Sequence, residues 1–448
     1  MTEDSSLGDN FDADLEDGSD TDEVELPAED EPDSPPTAVL PDGSILSLTG
    51  AGAGRQSAAT PAALDDTLER LRLRDRDESL DSGAPLVLLH RPQRGAGQTP
   101  RLLASVVAAT RGRVSVGVVS PLPTLTPTSN QAWLDSCGVA SVRIADPLCF
   151  KLDPDLAQRA YSTVTVRNWP RLCADPSNVT DVLDAQRAAG ANLLLTPGRI
   201  MPLGDAQQAL DDVCAEADNA LAELGRGERL ALNLTLQTDW FTNAALRGVL
   251  LDQLLDQEQF DTWYVRVLWP NTPTHPQQPT RHELLQGYKR LAQLADDEER
   301  KLLLPQTGLT GWLQLAFGAA GFGTSPTGAG QGFRRAQGGG GGFAPVERYF
   351  EPALLHVVER PVHDALLRTL GYVRCTCPYC PALHATAVWN HELAGFHHAY
   401  WCGRLADPGV RPAGSIRRTV RAAVREAAGL TLTGANEAVH LAAWDRLL

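Results

Sequence analysis

From residue 85 onward the sequence repeats one alternation, a short apolar run followed by a longer amphipathic segment. The runs fall at 86–89, 114–119, 140–144, 192–195, 230–236, 263–268, 302–304 and 320–322. Between them, segments such as 100–110, 179–189, 205–224, 243–258, 281–298 and 311–317 carry apolar residues at helical spacing. Short apolar runs alternating with amphipathic segments are the signature of alternating strands and helices. An open doubly wound sheet fits this alternation, but no G-x-G-x-x-G opens the first helix. Eight strands, each followed by a helix over roughly 250 residues, predict a (β/α)8 TIM-type barrel, an α/β fold.

Some stretches fall outside the rhythm. Residues 62–75 are expected to form a short helix leading into the first strand, and 150–169 a long loop over one face. Residues 345–370 are expected to be helical, and 415–429, SIRRTVRAAVREAAG, form a basic amphipathic helix expected to close the barrel as its eighth. Between the last strand and these helices lies a glycine-dense stretch, 323–343, too rich in glycine for a helix or buried strand. A loop in that place can hold a phosphate on backbone N–H groups, with Arg334 and Arg335 adding charge.

The densest chemistry lies in GYVRCTCPYCPALHATAVWNHELAGFHHAYWCG, residues 371–403. Cys375, Cys377 and Cys380 stand as C-x-C-x-x-C, followed by His384, His391, His397, His398 and Cys402. Thiolate and imidazole are the ligands of four-coordinate zinc, and three Cys with one His close a structural site. A turn through Pro378 lets the thiolates converge, and a later helix can add the histidine. The cofactor expected is therefore a structural Zn2+. The other cysteines, Cys137, Cys149, Cys173 and Cys214, stand singly among apolar neighbours, which suits packing in a reducing compartment.

The net charge of −17 argues against nucleic acid until its distribution is considered. Residues 1–40 hold fifteen Asp and Glu and no Lys or Arg; removing those fifteen leaves −2. A segment this acidic and polar is expected to be disordered and available to a protein partner, or to cover a basic groove. The N-terminus is neither basic nor apolar and no run is long enough to span a bilayer, so a cytoplasmic protein without membrane contact is expected. The expected organisation is an acidic tail over 1–60, a barrel over 61–325, a Gly-rich loop over 326–345, a zinc-binding module over 346–410 inserted before the last helix, and closing helices over 411–448.

A barrel with a C-x-C-x-x-C…H module after its eighth strand, and a last helix beyond, resembles the tRNA-guanine transglycosylases, whose superfamily includes paralogues that insert 7-deazaguanine bases into DNA. The resemblance is specific over the module and architectural over the barrel. It implies zinc held by Cys375, Cys377, Cys380 and His397, which sits where the family has its His-Asn. The interval is shorter than the family's, so His398, His391 and Cys402 stay open as alternatives. It also implies tRNA or DNA as partner. The family's nucleophilic aspartate, in a G-x-D-x-F-D-like stretch on a late strand, has no counterpart here. The corresponding stretch reads Gly318-Ala319-Ala320-Gly321-Phe322-Gly323-Thr324. Its second aspartate, in D-S-G-G-F-Q, corresponds to Asp146, without the glycines.

In a barrel, residues at the C-terminal strand ends share one cleft. Asp146 and Asp239 are the candidate base or nucleophile, Arg91 and Arg199 the phosphate ligands, and Trp269 and Asn271 the base contacts. Asp146 before Pro147 also fits a turn starter, and Asp239 a helix cap near Asn243. Three readings follow: a transglycosylase-like zinc protein acting on or binding a base of tRNA or DNA; a non-catalytic nucleic-acid or protein binding subunit of a larger assembly; and a different barrel enzyme using its Gly-rich loop for phosphate. A second copy of the chain is a further expected partner.

Overall fold

The computed structural model describes residues 68–92, 94–152, 178–270, 278–327, 331–334, 346–408 and 415–448, and the backbone of Thr37–Val39 paired antiparallel with Ile45–Ser47. Eight parallel strands form the core: β1 (Leu86–His90), β2 (Ser115–Pro121), β3 (Val142–Asp146), β4 (Leu194–Leu195), β5 (Leu230–Gln237), β6 (Thr262–Leu268), β7 (Lys301–Leu304) and β8 (Gly321–Thr324). Their order is β3-β2-β1-β8-β7-β6-β5-β4, so β8 returns to pair with β1, Gly321 opposite Leu86 through Thr324 opposite Leu89. This is a nearly closed eight-stranded barrel wrapped by helices, as the alternation predicts.

The remaining seam, between β3 and β4, is bridged by side-chain amides instead of a continuous ladder. Asn192 accepts from Arg143 N–H at 2.7 Å and donates to Ser141 O at 2.8 Å, while its own N–H donates to Arg143 O at 2.9 Å. Behind it, buried Gln186 donates to Leu195 O and accepts from Leu195 N–H, both at 2.8 Å. These contacts satisfy edge groups that would otherwise lie unpaired inside the protein.

Two apolar sets follow from strand alternation. Leu86, Leu88, Val119, Val142, Ile144, Leu193, Leu195, Ala231, Tyr264 and Leu303 fill the barrel interior, and the opposite faces pack against the helices. Glycine makes the interior fit: a Cβ on Gly321 would sit 2.5 Å from Leu86 O, and one on Gly117 2.8 Å from Val142 O. Leu80 plugs the N-terminal end from the helix Arg76–Asp81, whose Asp75 and Glu78 form a capping box. Leu148, Phe150, Leu268 and Phe333 close over the other end.

The eighth helix position is taken by His391–Ala406, not by 415–429 as expected. Trp312 Nε1 donates to Leu405 O at 2.9 Å, Arg404 to Ala109 O, and Gly403 lies so close to Val106 that a Cβ would reach 2.5 Å from Val106 Cγ1. This seats the helix between Thr99–Thr110 and Gly308–Gln314. Ser415–Ala428 instead packs beside His440–Leu447, with Arg421 and Asp445 paired at 3.1 Å. Amphipathicity alone could not separate two helices that both bury one face.

Other expectations are corrected. The stretch expected to be helical over 345–370 is the antiparallel hairpin β9 (Arg348–Glu351) and β10 (His356–Glu359), followed by the short helix Arg360–Leu366. Tyr349, Phe350, Val357 and Val358 favour strands, and Leu355 turns the chain at φ 49°. Asp75, expected inside a helix, is instead the N-cap of the next one. A helix over Pro127–Ser136 was missing from the expected set, its sequence being mostly polar. Of the loop over 150–169, only the 3-10 turn Cys149–Leu152 enters the described residues. No helix among the described residues is long and apolar enough to cross a membrane.

The seam gives a direct test. Asn192→Ala leaves Arg143 N–H and Ser141 O without that partner, and is expected to lower stability by about 1–3 kcal/mol in urea unfolding. A change below about 0.5 kcal/mol would show that the amide does not hold the seam.

Candidate metal centre and barrel mouth

Cys375 and Cys377 lie in the turn after Tyr372, Cys380 begins the short helix Cys380–Ala385, and His397 projects from His391–Ala406. Their ligand atoms all lie within 4.8 Å of one another. Cys377 Sγ and Cys380 Sγ are 3.4 Å apart, and His397 Nδ1 is 3.2, 3.3 and 3.9 Å from the sulfurs of Cys377, Cys380 and Cys375. Tetrahedral zinc, with bonds of about 2.3 Å to sulfur and 2.0 Å to nitrogen, needs edges of about 3.5–3.8 Å. The donor set and spacing fit such an ion.

The surroundings fix each ligand. His397 Nε2 donates to Phe350 O at 2.8 Å, which keeps the proton on Nε2 and leaves Nδ1 with its lone pair towards the sulfurs. Trp401 Nε1 donates to Cys375 Sγ at 3.1 Å, Cys377 N–H to the same sulfur at 3.4 Å, and Tyr349 Oη stands 3.1 Å from Cys380 Sγ. Tyr349 is stacked between His397 and His363, with ring centroids 4.4 and 3.6 Å away. His363 is tied to buried Glu351, which also accepts from Tyr372 Oη at 2.7 Å. Hydrogen bonds from Cys377 and Cys380 drive the Cys375 thiol low, while the neighbouring sulfurs push Cys380 up. Sulfurs this close oppose one another's ionisation, and a bound cation would relieve that.

The alternatives for the fourth ligand lie elsewhere. His391 is exposed at the start of its helix. His398, one position on, turns away to accept from Gln331 Nε2 at 3.1 Å. Cys402 is buried beneath β8, 3.9 Å from Thr324 Oγ1, its thiol pushed up by burial to about 12. His397 and the C-x-C-x-x-C triplet form the one such cluster among the described residues.

The described candidate residues at strand ends each have their own surroundings. Asp239 is exposed at the first position of the helix Asp239–Thr242, and Asn243, not Asp239, caps the helix that follows. Arg199 is paired with Glu216 at 3.4 Å, and Arg91 lies over the Trp133 ring at 5.7 Å. Trp269 is turned under the helices, its Nε1 donating to Tyr288 Oη at 2.8 Å, with the Arg334 guanidinium 5.3 Å from its ring. Asn271 and Arg335 lie outside the described residues.

Among the described candidates, Asp146 alone reaches the barrel interior. It is 1% exposed, ion-paired with fully buried Arg266, and accepts from Tyr264 Oη at 3.2 Å and Leu148 N–H at 3.0 Å. Phe150 covers the pair, with Arg266 4.8 Å from its ring. Burial lowers nearby Lys151 to about 8. The sequence reading missed Arg266 and Lys151. The readable signal was a charge in the middle of TWYVRVL, an otherwise apolar strand.

On β8, Gly323 leaves no room for a side chain: a Cβ would lie 2.7 Å from His90 Nε2 and 2.9 Å from Gln306 N and Pro305 Cα. The His90 ring fills the place and accepts from Gln306 N–H at 3.3 Å. Burial holds His90 down to about 4, and holds His440, in the C-terminal helix, down to about 3.

These two histidines set a pH window. In the unfolded chain each protonates at about 6.5, while the folded chain keeps both neutral well below that. The contribution of these two histidines to stability is therefore full above about pH 6.5 and falls between there and pH 4, by about 1.4 kcal/mol per pH unit for each. His440→Gln is expected to flatten that slope in urea unfolding measured across the window. An unchanged slope would remove His440 as a source.

No family model, no curated protein and no solved structure matches this chain.

Proposed function

We propose that Cys375, Cys377, Cys380 and His397 hold a structural zinc ion, and that the chain is a transglycosylase-like barrel that binds a base or nucleoside of tRNA or DNA without exchanging it. The observation that carries this reading is the four-ligand cluster whose histidine comes from the helix in the barrel's eighth position. The ion would supply charge compensation for the thiolates and a cross-link between that helix and the turn bearing the cysteines. The chain's own residues do the rest. Phe350 O and Trp401 orient the ligands, and β9 carries both Phe350 and Tyr349 to the site.

Binding without exchange is favoured by the barrel mouth. The β8 position that would bear a nucleophilic carboxylate is a glycine packed against His90, and a carboxylate cannot be replaced by glycine in covalent catalysis. Asp146 is engaged by Arg266, Tyr264 and Leu148, so its charge is compensated within the fold. Asp239 stands in solvent, apart from the barrel interior.

Elemental analysis of the purified chain is expected to give one zinc, lost in Cys377→Ser, and chelation is expected to lower the unfolding temperature. Tyr349→Phe, which removes the contact to Cys380 Sγ, is expected to keep the metal but weaken zinc affinity about 10–100-fold in competition with a chromogenic chelator. Zinc-free protein with unchanged thermal unfolding would defeat the structural-metal reading.

The binding reading is tested separately, with labelled guanine offered alongside tRNA and double-stranded DNA. Retention of a nucleic acid without incorporation of label is expected. Incorporation that survives in wild type and disappears in Asp146→Asn would make the chain an exchange enzyme; no retention of either nucleic acid would leave a protein-binding subunit.

A further inference from the structure

We propose that the exposed arginine face of Ser415–Ala428 is the docking surface for the chain's own acidic N-terminal segment, residues 3–33. The helix buries Val420 and Ala423 in the main core and turns Arg417, Arg418, Arg421 and Arg425 to solvent. Arg417, Arg421 and Arg425 follow one another at i, i+4 and i+8, a row in which like charges repel and cost the helix stability. Asp445 offsets Arg421 alone, at 3.1 Å, in a pair that is largely solvent-exposed. Glu426 is the helix's single acid, and Arg417, Arg418 and Arg425 have no ion-pair partner among the described residues. A self-repelling row kept on a surface is matched best by an anion from outside the helix.

The sequence contains such an anion. Residues 1–40 carry fifteen carboxylates and no basic residue, while the rest of the chain is close to neutral. Residues 34–67 separate that segment from the first described residue of the barrel region, and with 37–47 folded back on itself the other 23 reach at most about 76 Å. A folded unit of this size has a radius of gyration of about 21 Å, so that span, with the length of the acidic segment itself added, is enough to reach the helix. Tethering makes the encounter intramolecular, with an effective concentration on the order of millimolar, enough for several individually weak ion pairs to act together. The inference does not depend on what the barrel binds. Its consequence is that the arginine face is closed to other polyanions until the acidic segment is displaced.

The test uses the full-length, metal-loaded chain and its variant with the eight carboxylates from Asp12 to Glu25 changed to amides. Arginine modification by phenylglyoxal at low salt is mapped by peptide mass spectrometry. In the wild type, Arg417, Arg418 and Arg425 are expected to react roughly tenfold more slowly than in the amide variant, the order that three or four surface ion pairs give together. Arg111 and Arg226, exposed elsewhere, are expected to react alike in both. Equal reactivity of the helix arginines in the two chains, or a matching rise at Arg111 and Arg226, would overturn the proposal. A second measurement uses heparin elution of both chains and of Arg417→Ala/Arg421→Ala/Arg425→Ala. The amide changes are expected to raise the elution salt only when the arginines are present; a rise of the same size without them would overturn docking at this helix. Protection of the same arginines by a nucleic-acid oligomer, equal with and without the acidic charges, would assign the face to nucleic acid instead.

Discussion

The helix His391–Ala406 faces two ways, and the two halves of the structure meet on it. One side fills the eighth position of the barrel. There, Gly403 admits Val106, Trp312 holds Leu405 O, and Cys402 lies under Thr324. The other side offers His397 to three cysteines, two of which lie in a small separate apolar cluster with Tyr349, Leu383, Trp389 and Leu393. Adjacent residues on a helix point about 100° apart, so His397 and His398 cannot both face the cysteines. The side fixed by barrel packing decides which does. His398 is then left to Gln331, in the segment that caps the barrel mouth.

A closed barrel has to be filled, and this one is filled with a charge pair. Removing two ions from water costs several kcal/mol each, and their mutual attraction offsets this only when further hydrogen bonds complete the pair. Asp146 meets that condition, with Arg266, Tyr264 and Leu148 N–H around one carboxylate. Arg266 meets it only in part, because its Nε and Nη1 have no hydrogen-bond partner among the described residues. The Phe150 ring stacked on the guanidinium supplies a modest attraction, of order 1–2 kcal/mol when desolvated, less than a full set of hydrogen bonds. Apolar filling would pack such a site at lower cost, so the pair is a poor stabiliser of the barrel.

The architecture was legible because a buried strand needs an unbroken apolar run and a surface helix needs a stripe. The strand pattern tolerates a single buried charge, as in TWYVRVL, whereas the helix pattern fails at the mostly polar Pro127–Ser136. The triplet of cysteines was legible because ligand spacing is local in sequence. Less local features were hidden. The hairpin of β9 and β10 reads as helix when apolar residues are counted without weighing Tyr349, Val357 and Val358 as strand formers. The β3–β4 seam depends on Asn192 and Gln186, ordinary amides whose importance comes only from where the chain brings them. The mouth residues have separate surroundings because a strand end fixes a position along the barrel, not the side to which the next residue turns. Trp269 follows β6 and points outward to Tyr288, while Arg266, three residues earlier, points in.

Gly323 shows how an absence in sequence becomes a constraint in structure. Read alone, a glycine at position 323 sets no limit on what could replace it. In the fold, the volume beside it is occupied by His90 from the neighbouring strand, with Gln306 N–H bonded to its ring and Pro305 against the backbone. A carboxylate at position 323 would have to displace an imidazole that is itself kept neutral by burial, and would sever the Gln306 contact in doing so. Strands β1, β7 and β8 pair side by side around this glycine. Placing an acid there would therefore require changes around His90 and Pro305-Gln306 as well as at position 323, so the glycine is held by its neighbours on both sides.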